Sequence, residues 1–227
     1  MKAIRAIAFD LDGTLVDSAG GVANALNAAL ADATLAPFDV ATVRGWIGDG
    51  PDALIARALR ASDLPELRVA GLMGRVRRGF DAATLEAPFA HCSIFEGIEA
   101  LLEDLAPSLP LAVVTNKPTV LARAVLEGAG LLHRFSSVHG ADMATQRKPS
   151  PWLIEQAARA LAAKPADMLM VGDASTDMQA ALAAGCKGAW AAWGYGQPAS
   201  GPAAVCWHLD TPADLIALLT SARAQCH

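Results

Sequence analysis

The chain has 227 residues, 53% of them hydrophobic, 18% charged and 5% aromatic, with a formal net charge of -5. This length holds one α/β domain with an insertion or two modest domains, and the composition is that of a compact globular protein rather than a disordered one. The acidic balance gives no general attraction to phosphate backbones, which disfavours a nucleic-acid binder and favours a small substrate.

Ile4 to Phe9 is a short apolar run that reads as a buried strand and leads directly into Asp10-Leu11-Asp12-Gly13-Thr14. The stretch is broken by Arg5 and reaches Asp10 too soon for a signal peptide, and no apolar run approaches the ~20 residues of a membrane span. A cytoplasmic protein without a membrane partner is expected. From about Asp17 to Phe89 the pattern is helical. Val22, Leu26, Ala29 and Leu30 repeat at helical spacing, Pro51 opens a second run, and Leu64 to Thr84 continues in the same manner.

Strands and helices then alternate. Ile98, Leu101, Leu102 and Leu105 share a helix face, Leu111 to Val114 reads as a strand, and Thr119 to Glu127 as a helix stopped by Gly128 and Gly130. A short strand is expected near Phe135 to Val138. After it come a helix over Pro151 to Leu161, a strand over Met168 to Val171, a helix over Thr176 to Ala184 ended by Gly185, and a strand over Ala189 to Ala192. Gly194 to Pro202 reads as a loop, and Thr211-Pro212 opens a last helix to about Ala222. Such alternation predicts a doubly wound parallel sheet, built from 1–16 and 90–227, with an all-helical insertion over 17–89. Cys92, Cys186, Cys206 and Cys226 have no C-x-x-C spacing and read as reduced thiols.

Four polar groups fall at or after apolar strands: Asp10 with Asp12, Thr115 with Asn116, Lys148, and Asp173 with Asp177. In a parallel sheet such ends converge on one rim. Singly each has a bland reading. Asp-x-Asp-Gly is a common turn, Thr115-Asn116 a turn or cap, Lys148-Pro149 a solvated pair, and Asp177 a residue favoured at a helix N-terminus. A calcium loop counted from Asp10 would need Glu at its twelfth position, where Gly21 stands. Together the groups have complementary chemistry. Close carboxylates oppose joint ionisation unless a cation intervenes. Magnesium, which takes a few carboxylates with water and phosphate, suits Asp10 and Asp173, and Gly13 allows close backbone approach. Thr115, Asn116 and Lys148 offer a hydroxyl, an amide and a positive charge to phosphoryl oxygens.

Asp10-Leu11-Asp12-Gly13-Thr14-Leu15-Val16-Asp17-Ser18 resembles the first motif of haloacid dehalogenase superfamily phosphatases. Val114-Thr115-Asn116-Lys117-Pro118, Lys148-Pro149-Ser150-Pro151 and Val171-Gly172-Asp173-Ala174-Ser175-Thr176-Asp177 are similar to its second, third and fourth motifs, in that order. Trp46-Ile47-Gly48-Asp49-Gly50 and Gly194-Tyr195-Gly196 make the chain most like the bacterial phosphoglycolate phosphatases of that superfamily. The resemblance implies a Rossmann-like core with a helical cap, and a magnesium-dependent phosphatase acting on a small phosphorylated metabolite. It implies Asp10 as nucleophile and Asp12 as acid and base. Magnesium would sit on Asp10, Asp173 and the backbone carbonyl of Asp12, with Thr115 and Lys148 on the phosphoryl oxygens and Asp177 as a supporting acid.

The chain departs from those relatives at Asp49, where Asn is usual, at Glu96-Gly97, where Pro-Gly is usual, and at Ala174, where Ser is common. Asp49 adds negative charge where a cap meets an anionic substrate. Related activities are separated by absences. Dehalogenases lack the acid at the position of Asp12, and phosphonatases need a cap lysine, whereas no Lys lies between Lys2 and Lys117. A sugar-phosphate phosphatase or mutase is the alternative within the superfamily. Outside it, a phospho-accepting signalling switch would also combine acids, Thr and Lys at a sheet rim, but with its phospho-acceptor later in the chain and no cap. Arg44 is either a solvated arginine or a partner for a substrate carboxylate.

Overall fold

The computed structural model describes residues 4–196 and 205–224. The first strand, β1 (Ala6–Phe9), is followed by a two-residue strand β2 (Val16–Asp17) and then by α1 (Ala19–Asp32), α2 (Val40–Arg44), α3 (Pro51–Ala61) and α4 (Glu66–Glu86). A second two-residue strand, β3 (Ser93–Ile94), pairs antiparallel with β2, so the outgoing and returning connections lie side by side. The chain continues as α5 (Ile98–Leu105), β4 (Leu111–Thr115), α6 (Thr119–Gly128), β5 (Ser137–Gly140), α7 (Trp152–Ala160), β6 (Met168–Gly172), α8 (Ser175–Ala184), β7 (Lys187–Ala191), β8 (Val205–Leu209) and α9 (Pro212–Ala224).

Six strands form one sheet in the order β5-β4-β1-β6-β7-β8, with every pairing parallel. Parallel sheets are covered on both faces, which is why β1, β4 and β6 are wholly buried and read as continuous apolar runs. The pleat divides their side chains. Ile7, Phe9, Leu111, Val113, Leu169 and Val171 pack with apolar residues of α5, α6 and α9. Ala6, Ala8, Ala112, Val114, Met168 and Met170 meet those of α7 and α8 on the other face. The result is the α/β, doubly wound architecture expected, with helices on both sides.

The inserted helices have a core of their own. Leu26 and Leu30 of α1, Val43 of α2, Ile55 and Leu59 of α3, and Val76 and Phe80 of α4 form one buried cluster, joined by Leu121 from α6. This is the all-helical cap. Its α2 and the paired β2 and β3 are too short for periodicity to reveal.

Boundaries elsewhere differ by one or two residues from the sequence reading. β5 lies two residues later than expected, and β7 begins at Lys187. Strand β8 was not anticipated, and the loop expected over Gly194 to Pro202 falls partly outside the described residues. Cys92 is a free thiol. No described helix is long and apolar enough to cross a membrane.

Candidate active site

Strand β1 is central, and the sheet grows to one side through β4 and β5 and to the other through β6, β7 and β8. The carboxyl ends of β4, β1 and β6 therefore meet beside a topological switch point, where open α/β sheets hold ligands. Asp10 follows the last residue of β1, Thr115 ends β4, and Asp173 follows the last residue of β6. The Asp10 amide donates to Val171 O at 2.9 Å, fixing the two strand ends in register.

A tight turn follows Asp10, with Leu15 and Val16 amides both donating to Leu11 O at 3.0 Å. Gly13 is required there. Its φ is +87°, and a Cβ at this position would lie 2.3 Å from Asp173 Oδ2. Thr14 Oγ1 donates to Asp173 Oδ1 at 2.9 Å, so the turn and the end of β6 are tied side chain to side chain.

Asp10, Asp173 and Asp177 offer carboxylate oxygens within 4.8 Å of one another, and all three residues are buried. Lys148, also buried, places Nζ 2.9 Å from Asp10 Oδ1 and 2.6 Å from Asp177 Oδ1, and donates to Val114 O at 3.1 Å. Burial alone would lower the Lys148 pKa, but the two facing carboxylates raise it, so the ammonium stays charged. Burial raises Asp10 to about 6 against the pull of Lys148, with Asp177 adding repulsion. Burial followed by repulsion from Asp10 raises Asp173 to about 6 as well, and burial likewise drives Asp177 upward. One ammonium among three buried carboxylates leaves negative charge uncompensated. Hard oxygen donors with a charge deficit fit a divalent cation of the magnesium type.

Asp12 faces elsewhere. Its Oδ1 accepts from Lys117 Nζ at 2.6 Å and from Ser18 Oγ at 2.5 Å. Its carboxylate is thus outside the three-acid group, and Asp177 stands inside it. Asn116 is a clamp: its Oδ1 accepts from the Lys148 amide at 2.7 Å, and its Nδ2 reaches Lys148 O at 3.3 Å and the cap carbonyl Gly48 O at 2.9 Å. The Thr115 hydroxyl accepts from the Lys117 amide at 3.2 Å.

These groups floor a cleft closed by the cap. Asp10, Asp12, Thr115, Asn116 and Lys117 line it on the core side, and Val22, Ile47, Leu54 and Phe80 on the cap side. Lys117 is the one lysine or arginine among the described lining residues. Asp49 does not leave bare charge at this mouth, because it pairs with Arg57, which also donates to Trp46 O at 2.8 Å.

Lys117 and Tyr195 stand in the motifs without a role there, and Trp193 adjoins Gly194-Tyr195-Gly196. Lys117 is brought to Asp12 only by the tertiary fold. The Trp193 indole donates to Thr14 O at 2.9 Å, and the Tyr195 amide donates to Asp173 Oδ2 at 2.8 Å. The glycine flanking such contacts was the available signal: a Cβ on Gly194 would lie 2.3 Å from Asp173 Cβ. Arg44 is exposed and does not line the cleft, as a solvated arginine would be, and its guanidinium lies 3.7 Å from Asp17 and over the Tyr195 ring.

Comparison with known proteins gives the family. The family model of haloacid dehalogenase-like hydrolase matches residues 4–185. A phosphoglycolate phosphatase of Rhodospirillum rubrum is 40% identical over 198 residues, covering 84% of this chain and 80% of its own length. One from Yersinia pseudotuberculosis is 38% identical over 195 residues, covering 86% and 83%. The crystal structure of a predicted phosphoglycolate phosphatase from Haemophilus somnus superimposes with a TM-score of 0.84 at 30% identity, covering 96% of this chain and 98% of its own. The chain belongs to the haloacid dehalogenase-like hydrolases and is a phosphatase.

Proposed function

We propose that this protein is a magnesium-dependent phosphomonoester hydrolase that transfers phosphate from a small metabolite to Asp10 and then to water. The observation that carries the reading is the buried group of Asp10, Asp173 and Asp177 around Lys148, of which Asp10 lines a cleft that Asp12 also lines. In this reading Asp10 and Asp173 hold magnesium with the Asp12 carbonyl, Asp177 supports Lys148, and the cation supplies charge stabilisation to the phosphoryl oxygens. Asp10 attacks phosphorus as the bond to the leaving oxygen breaks. Asp12 gives that oxygen a proton, and later takes one from the water that attacks the aspartyl phosphate. Lys148 and the Thr115 hydroxyl hold phosphoryl oxygens, Gly13 leaves room for them, and Asn116 fixes the backbone of Lys148.

We place the catalytic core at 1–16 and 90–227 and the cap at 17–89, and the cytoplasm as its compartment. The names of the relatives make 2-phosphoglycolate the reference substrate, and a substrate carboxylate would meet Lys117 or the cap-loop amides. Sugar phosphates are the second class. The test is phosphate release from a panel of small phosphomonoesters with and without magnesium. Turnover that stops on chelation and returns with magnesium is expected; undiminished turnover after exhaustive chelation contradicts the reading.

A further inference from the structure

Tyr195 touches the carboxylate cluster and both connections to the cap. Its amide donates to Asp173 Oδ2 at 2.8 Å, and the Gly196 amide reaches the same oxygen at 3.3 Å. The loop is pressed on Asp173, since a Cβ on Gly196 would stand 1.9 Å from Asp173 O. On its other side the Tyr195 hydroxyl accepts from the amides of Ser18 at 2.7 Å and Ala19 at 3.0 Å, and donates to Asp17 Oδ1 at 2.7 Å. One proton and two lone pairs are then all in use.

Those amides open α1, whose N-cap residue Ser18 makes no side-chain cap bond and gives its hydroxyl to Asp12 instead. The first cap helix therefore takes its N-terminal acceptor from a residue 177 positions along the chain. Arg44, at the end of α2, lies 5.3 Å over the ring and 3.7 Å from Asp17 Oδ2. Phe95, just after β3, packs against the ring at 6.2 Å between centroids. Burial, reinforced by the bond to Asp17, pushes the phenol up, so it remains a donor.

Resting on the function proposed above, we infer that Tyr195 is a positioning residue that couples the cation site to the seating of the cap. Its backbone fixes Asp173, and its hydroxyl fixes the outgoing connection and the first turn of α1. A cation that orders Asp173 then orders this connection, and a seated cap in turn favours the cation.

Hydrogen exchange of the full chain at residues 15–19, with and without magnesium and with no substrate, tests this in the wild type and in Tyr195→Phe. The variant keeps ring and backbone and loses the three hydroxyl bonds. Magnesium should slow exchange at the Ser18 and Ala19 amides by about 5-fold or more in the wild type. In Tyr195→Phe these amides should exchange faster and lose the magnesium response, while KM for an aryl phosphate rises by more than kcat falls. Equal protection in both proteins, or no magnesium response in an active wild type, overturns the coupling. A wild type that neither releases phosphate nor responds to magnesium fails the functional reading instead. Should Tyr195→Phe not fold, Asp17→Ala removes one of the three bonds and leaves the hydroxyl less firmly aimed at α1, so a smaller loss of the magnesium response at the same amides is expected, and an undiminished response overturns the coupling.

Discussion

Asp10 and Asp173 sit in an environment that favours their neutral forms until a cation arrives. Burial and neighbouring acids raise both from the ordinary 3.8 to about 6. Without metal, the folded state then holds protons that the unfolded chain has released. This contribution to stability is complete below pH 3.8 and is lost as pH rises toward about 6. A divalent cation reverses the preference by favouring the ionised carboxylates. The rise in melting temperature produced by magnesium should therefore be larger at pH 7 than at pH 5, as calorimetry at several pH values would measure. An equal or larger rise at pH 5 would show that these acids are not the ligands.

The turn after β1 and the loop after β7 interlock through glycine. Gly13→Ala combines a φ of +87° with a Cβ 2.3 Å from Asp173 Oδ2, so Asp173 must move. The strain should cost about 1–3 kcal/mol. Magnesium affinity should also fall at least ~10-fold, read by titration of the purified variant, since a displaced ligand loses second-shell support. Gly48→Ala is the control: φ is +122° there, but no atom lies within 4 Å of the added Cβ, so magnesium affinity should be kept. At this scale the sequence was informative where an element is long and uniformly buried. β1, β4 and β6 were legible because both faces of a parallel strand are apolar. β8, which reads Val-Cys-Trp-His-Leu, lacks that uniformity and was missed. The acids and Lys148 were legible because each follows an apolar strand or stands in a motif. Lys117 and Tyr195 were not assigned roles, since their importance lies in contacts 105 and 177 residues away.

Across the whole molecule, two contacts seat the cap on the core beside the cleft. Asn116 Nδ2 donates to Gly48 O at 2.9 Å, and Arg147, the neighbour of Lys148, pairs with Asp52, which also meets Arg77 at 2.5 Å. Arg147→Gln should raise KM several-fold with little change in kcat, because a cap seated for less of the time lowers the competent fraction. Added salt should raise the wild-type KM toward that of the variant. Steady-state kinetics at two ionic strengths would check this, and a fall in kcat alone would place Arg147 in the chemistry instead. The central claim is that phosphate passes through Asp10 with Asp12 serving both steps. In Asp12→Ala, an activated aryl phosphate needs no acid to phosphorylate Asp10, whereas hydrolysis of the intermediate loses its base and slows by roughly 10²- to 10⁴-fold. Rapid mixing should then release about one equivalent of leaving group per chain in a burst. Mass spectrometry of the quenched protein should find one phosphoryl group on Asp10. A variant that binds the substrate normally but shows neither burst nor phosphorylated Asp10 would contradict the account.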